Sequence, residues 1–231
     1  MAVAPDLGHA FELARGRVAC VRFTTRADGD LAVAQPAATL AAVRRRLSSR
    51  PWTWLHQVHG AGVVTVTRPR EGAGVEADAA VTSEPGALLA VHTADCAPVA
   101  LVADEGLVGA VHAGWRGLVA GVVERTADAL RTAGATRLRA VVGPCIHAPC
   151  YEFGAADLDL VVERCGEAAR GTAATGRPAL DLPAAVRAVA ARAGAEVVGD
   201  EPPCTACDPR FFSHRARGDT GRQAMLVWIE E

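Results

Sequence analysis

The chain has 231 residues, half of them hydrophobic and 22% charged, with a formal net charge of −2. That composition supports a packed core and excludes disorder as the overall state. Twenty-four basic against 26 acidic residues argue against a nucleic-acid-coating or membrane-surface protein, whose partner demands a basic excess.

Arg17 to Thr24 reads as a strand, and Ala37 to Leu47, after Pro36, as a helix with Arg44, Arg45 and Arg46 on a solvated side. Gly62 to Thr67 and Leu88 to Thr93 follow as strands, then Pro98 to Ala103 and Leu107 to His112 as a hairpin around Asp104-Glu105-Gly106. From Trp115 to Thr132 the period becomes helical, with Leu118, Val119, Val122, Val123 and Leu130 on one stripe and Gly134 as terminator. Leu138 to Val142 is a strand and Ala155 to Cys165 a helix, and Gly166 to Pro178 reads as a surface loop. A helix from Leu182 to Ala193 starts on Asp181 as N-cap, and Gln223 to Ile229 closes the chain as a buried strand. This order predicts an α/β (α+β) class, with mixed β-sheet flanked by helices in one domain spanning residues 1–231.

Several chemistries are excluded outright. All 24 basic residues are Arg, so Schiff-base chemistry, the P-loop lysine and the Ser-x-x-Lys dyad are unavailable. None of the four serines sits in Gly-x-Ser-x-Gly, which excludes a nucleophile-elbow hydrolase. Seven irregularly spaced Cys and no basic-then-apolar leader point to reduced thiols and a cytoplasmic location. No apolar run approaches the roughly 20 residues of a spanning helix.

Four segments pair unusual residues with turn signals: His56-Gln57-Val58-His59-Gly60, Thr93-Ala94-Asp95-Cys96-Ala97-Pro98, His112-Ala113-Gly114-Trp115-Arg116-Gly117, and the tail from Cys204 to Arg222. His59, Cys96 and His112 stand at strand ends or turns, where a sheet presents functional side chains. Brought together, two imidazoles and a thiolate suit Zn²⁺ with its fourth position open, and such an ion lowers the pKa of bound water to about 7. Taken singly, each also reads as an ordinary structural residue, and the spacing is not that of a zinc finger. Asp95 is the candidate carboxylate to orient a ligand histidine. Gly114 and Arg116, at a helix start, read either as an anion site for phosphate or carboxylate or as a tight turn with a surface Arg; Arg222 is a further anion candidate. His56 and His92 read as supporting or core residues. Cys204-x-x-Cys207 is half a zinc motif with no second pair to complete it, and Cys145 and Cys150 read as part of a packed loop.

These segments, with Gly143-Pro144-Cys145-Ile146 and Phe211-Phe212-Ser213-His214-Arg215, occur in an order and spacing that resemble the YfiH-like family, from Phe23-Thr24-Thr25-Arg26 to Trp228. Its members are variously called laccase-domain polyphenol oxidases, peptidoglycan editing factors and purine nucleoside phosphorylases. The resemblance implies a mixed α/β fold and a zinc, or copper, ion held by His59, Cys96 and His112, which would also be the catalytic residues. It implies phosphorolysis of adenosine, inosine, guanosine and methylthioadenosine, with adenosine deamination, so the expected partners are a purine nucleoside and phosphate, not nucleic acid or membrane. It also admits an amidase on peptidoglycan precursors using Cys96 and His112 or a zinc-bound hydroxide, and a copper-dependent polyphenol oxidase. A non-enzymatic nucleotide-binding module is a further alternative. The chain departs from the family at a short Asp28 to Pro36 segment and at His147-Ala148-Pro149, departures that bear on the substrate pocket. Seven His with no His-x-His pair cannot build a full multicopper arrangement.

Overall fold

The computed structural model describes residues 7–231. In chain order its elements are β1 (Gly8–Glu12), β2 (Val18–Phe23), α1 (Ala37–Leu47), β3 (Trp52–Trp54), β4 (Val63–Val66), β5 (Ala79–Thr82), β6 (Leu88–Thr93), β7 (Ala97–Ala103), β8 (Leu107–Ala113), α2 (Trp115–Ala120) and α3 (Val122–Thr132). There follow β9 (Leu138–Val142), α4 (Ala155–Cys165), β10 (Arg170–Thr172), β11 (Pro178–Leu180), α5 (Leu182–Arg192), β12 (Ala195–Val198), α6 (His214–Arg217) and β13 (Gln223–Glu230). The class is α+β.

Two mixed sheets carry the molecule. One runs β1-β2-β13-β6-β3 and the other β12-β9-β7-β8-β5-β4. Side chains alternate across a strand, and β7 shows where each face goes. Val99, Leu101 and Ala103 pack against Leu118, Val122, Leu130, Leu158 and Val186 of the helices. Ala100 and Val102 instead meet Leu89, Val91, Met225 and Val227 of the other sheet. The outer face of the five-stranded sheet, with Leu88, Ala90 and Leu226, is covered by Leu40 of α1. With both faces covered, every residue of β6, β7 and β8 is buried, which is why these strands read as unbroken apolar runs.

Most expected elements are present, and three differ. The stretch from Trp115 to Thr132 is two helices, broken where Gly121 adopts φ +84°, a left-handed conformation that ends the first helix. Residues 166–178 are not merely a loop: β10 lies within them and pairs antiparallel with β11, which begins at Pro178. The short strands β1, β3, β5 and β12 were not anticipated. β5, Ala-Ala-Val-Thr, lies wholly buried in the six-stranded sheet and therefore carries no alternating pattern.

Candidate active site

The register of the six-stranded sheet decides which distant residues meet. β7 and β8 are antiparallel with Ala97 opposite Ala113, so Cys96, just before β7, lies beside His112 at the end of β8. β5 is antiparallel to β8, with Ala79 opposite Val111, which brings Asp78 to the same edge. β4 is parallel to β5, with Val63 opposite Ala79, and the loop that precedes it delivers His59.

At that edge one ligand atom each of His59, Cys96 and His112 lies within 4.8 Å of the others. The Cys96 Sγ to His59 Nε2 distance is 3.6 Å, and the two imidazole centroids are 4.8 Å apart at 73°. His112 is buried, Cys96 half-buried and His59 exposed, so the group opens on one side. Gly114 backs it closely: a Cβ there would stand 2.7 Å from His59 Cδ2 and 3.2 Å from Cys96 Sγ.

The carboxylate that organises the group is Asp78. Its buried side chain accepts from His112 Nδ1 at 2.8 Å, leaving Nε2 as the ligating atom. It also accepts the backbone N–H groups of Val58, His59 and Gly60 at 3.2, 2.9 and 2.7 Å. These bonds fix a loop in which His59 itself has φ +59°, an uncommon conformation for a non-glycine residue that persists only when its surroundings over-determine it. The sequence reading placed this orienting role on Asp95, and the structure corrects it. The Asp95 carboxylate accepts from Thr205 Oγ1 and the Arg215 N–H, both at 2.7 Å. It thereby docks the chain's tail onto the Cys96 turn, with Asp95 at φ +101°.

The charges are coupled. Burial pushes the Cys96 thiol up, but the His112 charge and hydrogen bonds from both imidazoles outweigh it and bring it down to about 6. Burial pushes His112 down, yet the neighbouring Cys96 sulfur and Asp78 raise it to about 9. Asp78 is held low because its bonds to His112 and the loop N–H groups outweigh its burial. Cys150 and Cys165 move the other way, pushed up by burial to about 12 and about 11. Cys96 is the thiol poised to act as a thiolate.

The group sits in a cavity of about 600 Å³, within the 300–1,000 Å³ range of small-molecule sites. Ala32, Val33 and Ala34 form one wall, so the short 28–36 segment does border the pocket. His147 does not line it; its backbone N–H points to Cys204 Sγ at 3.4 Å. Arg116 lines the cavity while stacked over Trp115 at 4.3 Å, and Arg215 lines it while stacked over Tyr151 at 4.9 Å. Arg222 also reaches the rim, but its Nη1 donates to the carbonyls of Thr220 and Gly221 at 3.0 and 2.8 Å, which weakens its case as an anion ligand. Gly114 N-caps a helix of only six residues, so an anion site here rests on arginine side chains. Phe211 is fully buried and Phe212 lies under Arg26 at 4.3 Å; Trp115 and Tyr151 are the aromatic residues that face the cavity. His56 lines the cavity as well, and His92 is buried with both ring nitrogens unpartnered.

The fold and site together define an α+β protein with an open His/Cys/His group at one sheet edge. The model of the family described as multi-copper polyphenol oxidoreductase laccase matches residues 22–230, and the chain belongs to this family. It is 40% identical over 225 residues to a purine nucleoside phosphorylase of Mycobacterium bovis, covering 93% of this chain and 89% of the relative. It is 46% identical over 187 residues to a purine nucleoside phosphorylase of Xylella fastidiosa, covering 76% and 71%. Among solved structures, a Neisseria meningitidis protein superposes with a TM-score of 0.81 at 26% identity, covering 97% of this chain and 100% of that one. YlmD from Geobacillus stearothermophilus superposes with a TM-score of 0.79 at 28% identity, covering 98% and 100%.

The residues fit a metal ion. Two neutral imidazoles and a thiolate are a zinc or copper donor set, and a carboxylate behind a ligand histidine is the usual support for one. Among the described residues this is one of two groups of three potential ligands, the other being Cys150, Cys204 and Cys207. No helix of the described residues is long and apolar enough to cross a membrane.

Proposed function

We propose that residues 1–231 form one catalytic domain, a cytoplasmic metal-dependent purine nucleoside phosphorylase with adenosine deaminase activity. The observation that carries this reading is the convergence of His59, Cys96 and His112 at the floor of a cavity that also presents Arg116 and Arg215. The relatives named purine nucleoside phosphorylase supply the substrate class. Bound there, zinc supplies a Lewis acid that polarises an oxygen and makes water acidic near neutral pH.

The chain's own residues do the rest. Asp78 holds His112 in the tautomer that leaves Nε2 free and fixes the His59 loop, so the donors are set before any ligand arrives. Arg116 and Arg215 offer planar guanidinium groups for phosphate, which suits bidentate anion binding. Trp115 and Tyr151 offer aromatic surface for a purine. Phosphate held against the ribose serves as nucleophile at C1′ and stabilises the oxocarbenium-like state by its charge. Incubating the zinc-loaded protein with adenosine, with and without phosphate, tests the reading. Ribose-1-phosphate formed only with phosphate establishes phosphorolysis; inosine alone restricts the enzyme to deamination, and no product with either overturns the reading.

One observation favours a second reading. Asp78, His112 and Cys96 stand in a carboxylate–imidazole–thiol order with a lowered thiol, an arrangement that activates a cysteine nucleophile and would suit an amidase on peptidoglycan precursors. A fully active, metal-free protein that cleaves a muropeptide amide would favour it over the first.

A further inference from the structure

On the flank of the pocket lies a second group of sulfur ligands. Cys204 and Cys207 sit on one turn, closed by the Asp208 N–H donating to the Cys204 carbonyl at 2.9 Å. The Cys-x-x-Cys spacing aims two thiols at one point but lacks partners in the sequence. The fold supplies a third. An isolated bridge pairs Cys145 with Cys204 and lays the 145–151 loop against this turn, so that Cys150 Sγ stands 3.1 Å from Cys207 Sγ. The sulfurs of Cys150, Cys204 and Cys207 all lie within 4.8 Å of one another. Two sulfurs each about 2.3 Å from a shared tetrahedral ion stand roughly 3.8 Å apart, within reach of small side-chain rotations.

Two further features suit a cation here. The His147 N–H donates to Cys204 Sγ at 3.4 Å, the kind of outer support that ligating sulfurs receive. Three thiolates around a divalent ion leave one net negative charge, and two arginine side chains lie close to the turn. Arg217 donates to the carbonyls of Thr205 and Ala206, inside the turn, at 2.9 and 2.8 Å. Arg215 shares a small surface cavity with Cys150.

We propose that Cys150, Cys204 and Cys207 bind a soft cation of the zinc type, distinct from the His59, Cys96 and His112 group. Cys207 is exposed, so water can complete the coordination. The ion would clip the 145–151 loop, which carries Tyr151, to the turn whose Thr205 buttresses Asp95, and so would act structurally on the pocket. No second Cys-x-x-Cys exists in the sequence; the third sulfur comes from 54 positions before Cys204, brought there by the fold.

The test titrates the reduced, metal-free full-length chain with zinc against a chromophoric chelator, alongside Cys207→Ser and Cys96→Ala. The proposal expects two tight equivalents in the wild type and one in each variant, with affinity at the cysteine cluster falling on loss of Cys207 by more than the ~10–100-fold that loss of an outer partner costs. With cobalt in place of zinc, the sulfur-to-metal absorption that persists in Cys96→Ala should vanish when Cys207→Ser is added. One equivalent in both the wild type and Cys207→Ser overturns the proposal. So do two equivalents undiminished in Cys207→Ser, or a Cys150–Cys207 disulfide found by mass spectrometry in place of the second equivalent. Failure at Cys96 alone would strike the other centre and leave this one standing.

Discussion

Replacing Asp78 by Asn keeps the shape of the side chain and removes one of its two acceptor atoms. In the native protein Oδ1 serves His59 N–H and His112, and Oδ2 serves Val58 and Gly60 N–H. Whichever way the amide turns, an NH₂ group faces two donors. A donor left without an acceptor costs up to about 1–3 kcal/mol. The His59 N–H alone is stranded if His112 shifts its ring proton, and the Val58 and Gly60 N–H groups if the amide turns the other way. The variant should therefore lose roughly 1–6 kcal/mol out of the ~5–15 kcal/mol typical of a folded domain. If the amide faces His112, it donates to Nδ1 and moves the ring proton to Nε2, the atom needed for the metal. If it faces Val58 and Gly60 instead, their N–H groups lose their acceptor and the loop that carries His59 loosens. Both routes weaken zinc binding by about 10–100-fold, the usual effect of losing such an outer partner. Urea unfolding of the metal-free protein and chelator competition read the two effects separately. A folded Asp78→Asn protein whose zinc Kd stays within about twofold of wild type would refute the assigned role.

The remaining predictions concern the rest of the pocket. Gly114→Ala is compatible with its φ of −76°, so Tm should hold, while the Cβ driven toward His59 and Cys96 lowers zinc affinity about tenfold or more in the same competition assay. Arg116→Ala should raise the KM for phosphate roughly 10–100-fold, the worth of a charge-assisted hydrogen bond, with the nucleoside KM little changed in steady-state kinetics. Burial pushes His92 down to about 3, so the unfolded chain takes up a proton near pH 6.5 that the folded one refuses. Stability from this group is therefore complete above pH 6.5 and falls with pH toward 3 by up to about 1.4 kcal/mol per unit, or about 2 kcal/mol by pH 5. Denaturant melts of wild type and His92→Leu across that range should show the slope and its loss.

Much of this site is legible in the sequence because a sheet edge concentrates turn residues between apolar runs. His59, Cys96 and His112 each stand at the end of such a run or in the turn beside it. Asp78 was missed for the opposite reason. It stands before a four-residue buried strand, in a segment with no period and no motif, and only the antiparallel register of β5 on β8 carries it to His112. Asp95 drew the orienting role by adjacency to Cys96 in sequence, whereas its strained backbone turns the carboxylate toward Thr205 and the tail. The break at Gly121 was hidden because the apolar stripe continues through it, and periodicity does not register one left-handed residue. Cys150 and Cys207 needed the fold itself to be paired.

Zinc X-ray absorption on the Cys207→Ser protein loaded with one equivalent probes the centre most directly. One sulfur near ~2.3 Å and two nitrogens near ~2.0–2.1 Å, with that sulfur lost when Cys96→Ala is added to the Cys207→Ser protein, is the predicted result. A shell of nitrogen and oxygen alone in the parent, or one with two or more sulfurs, would contradict the assignment of these three side chains to a common ion.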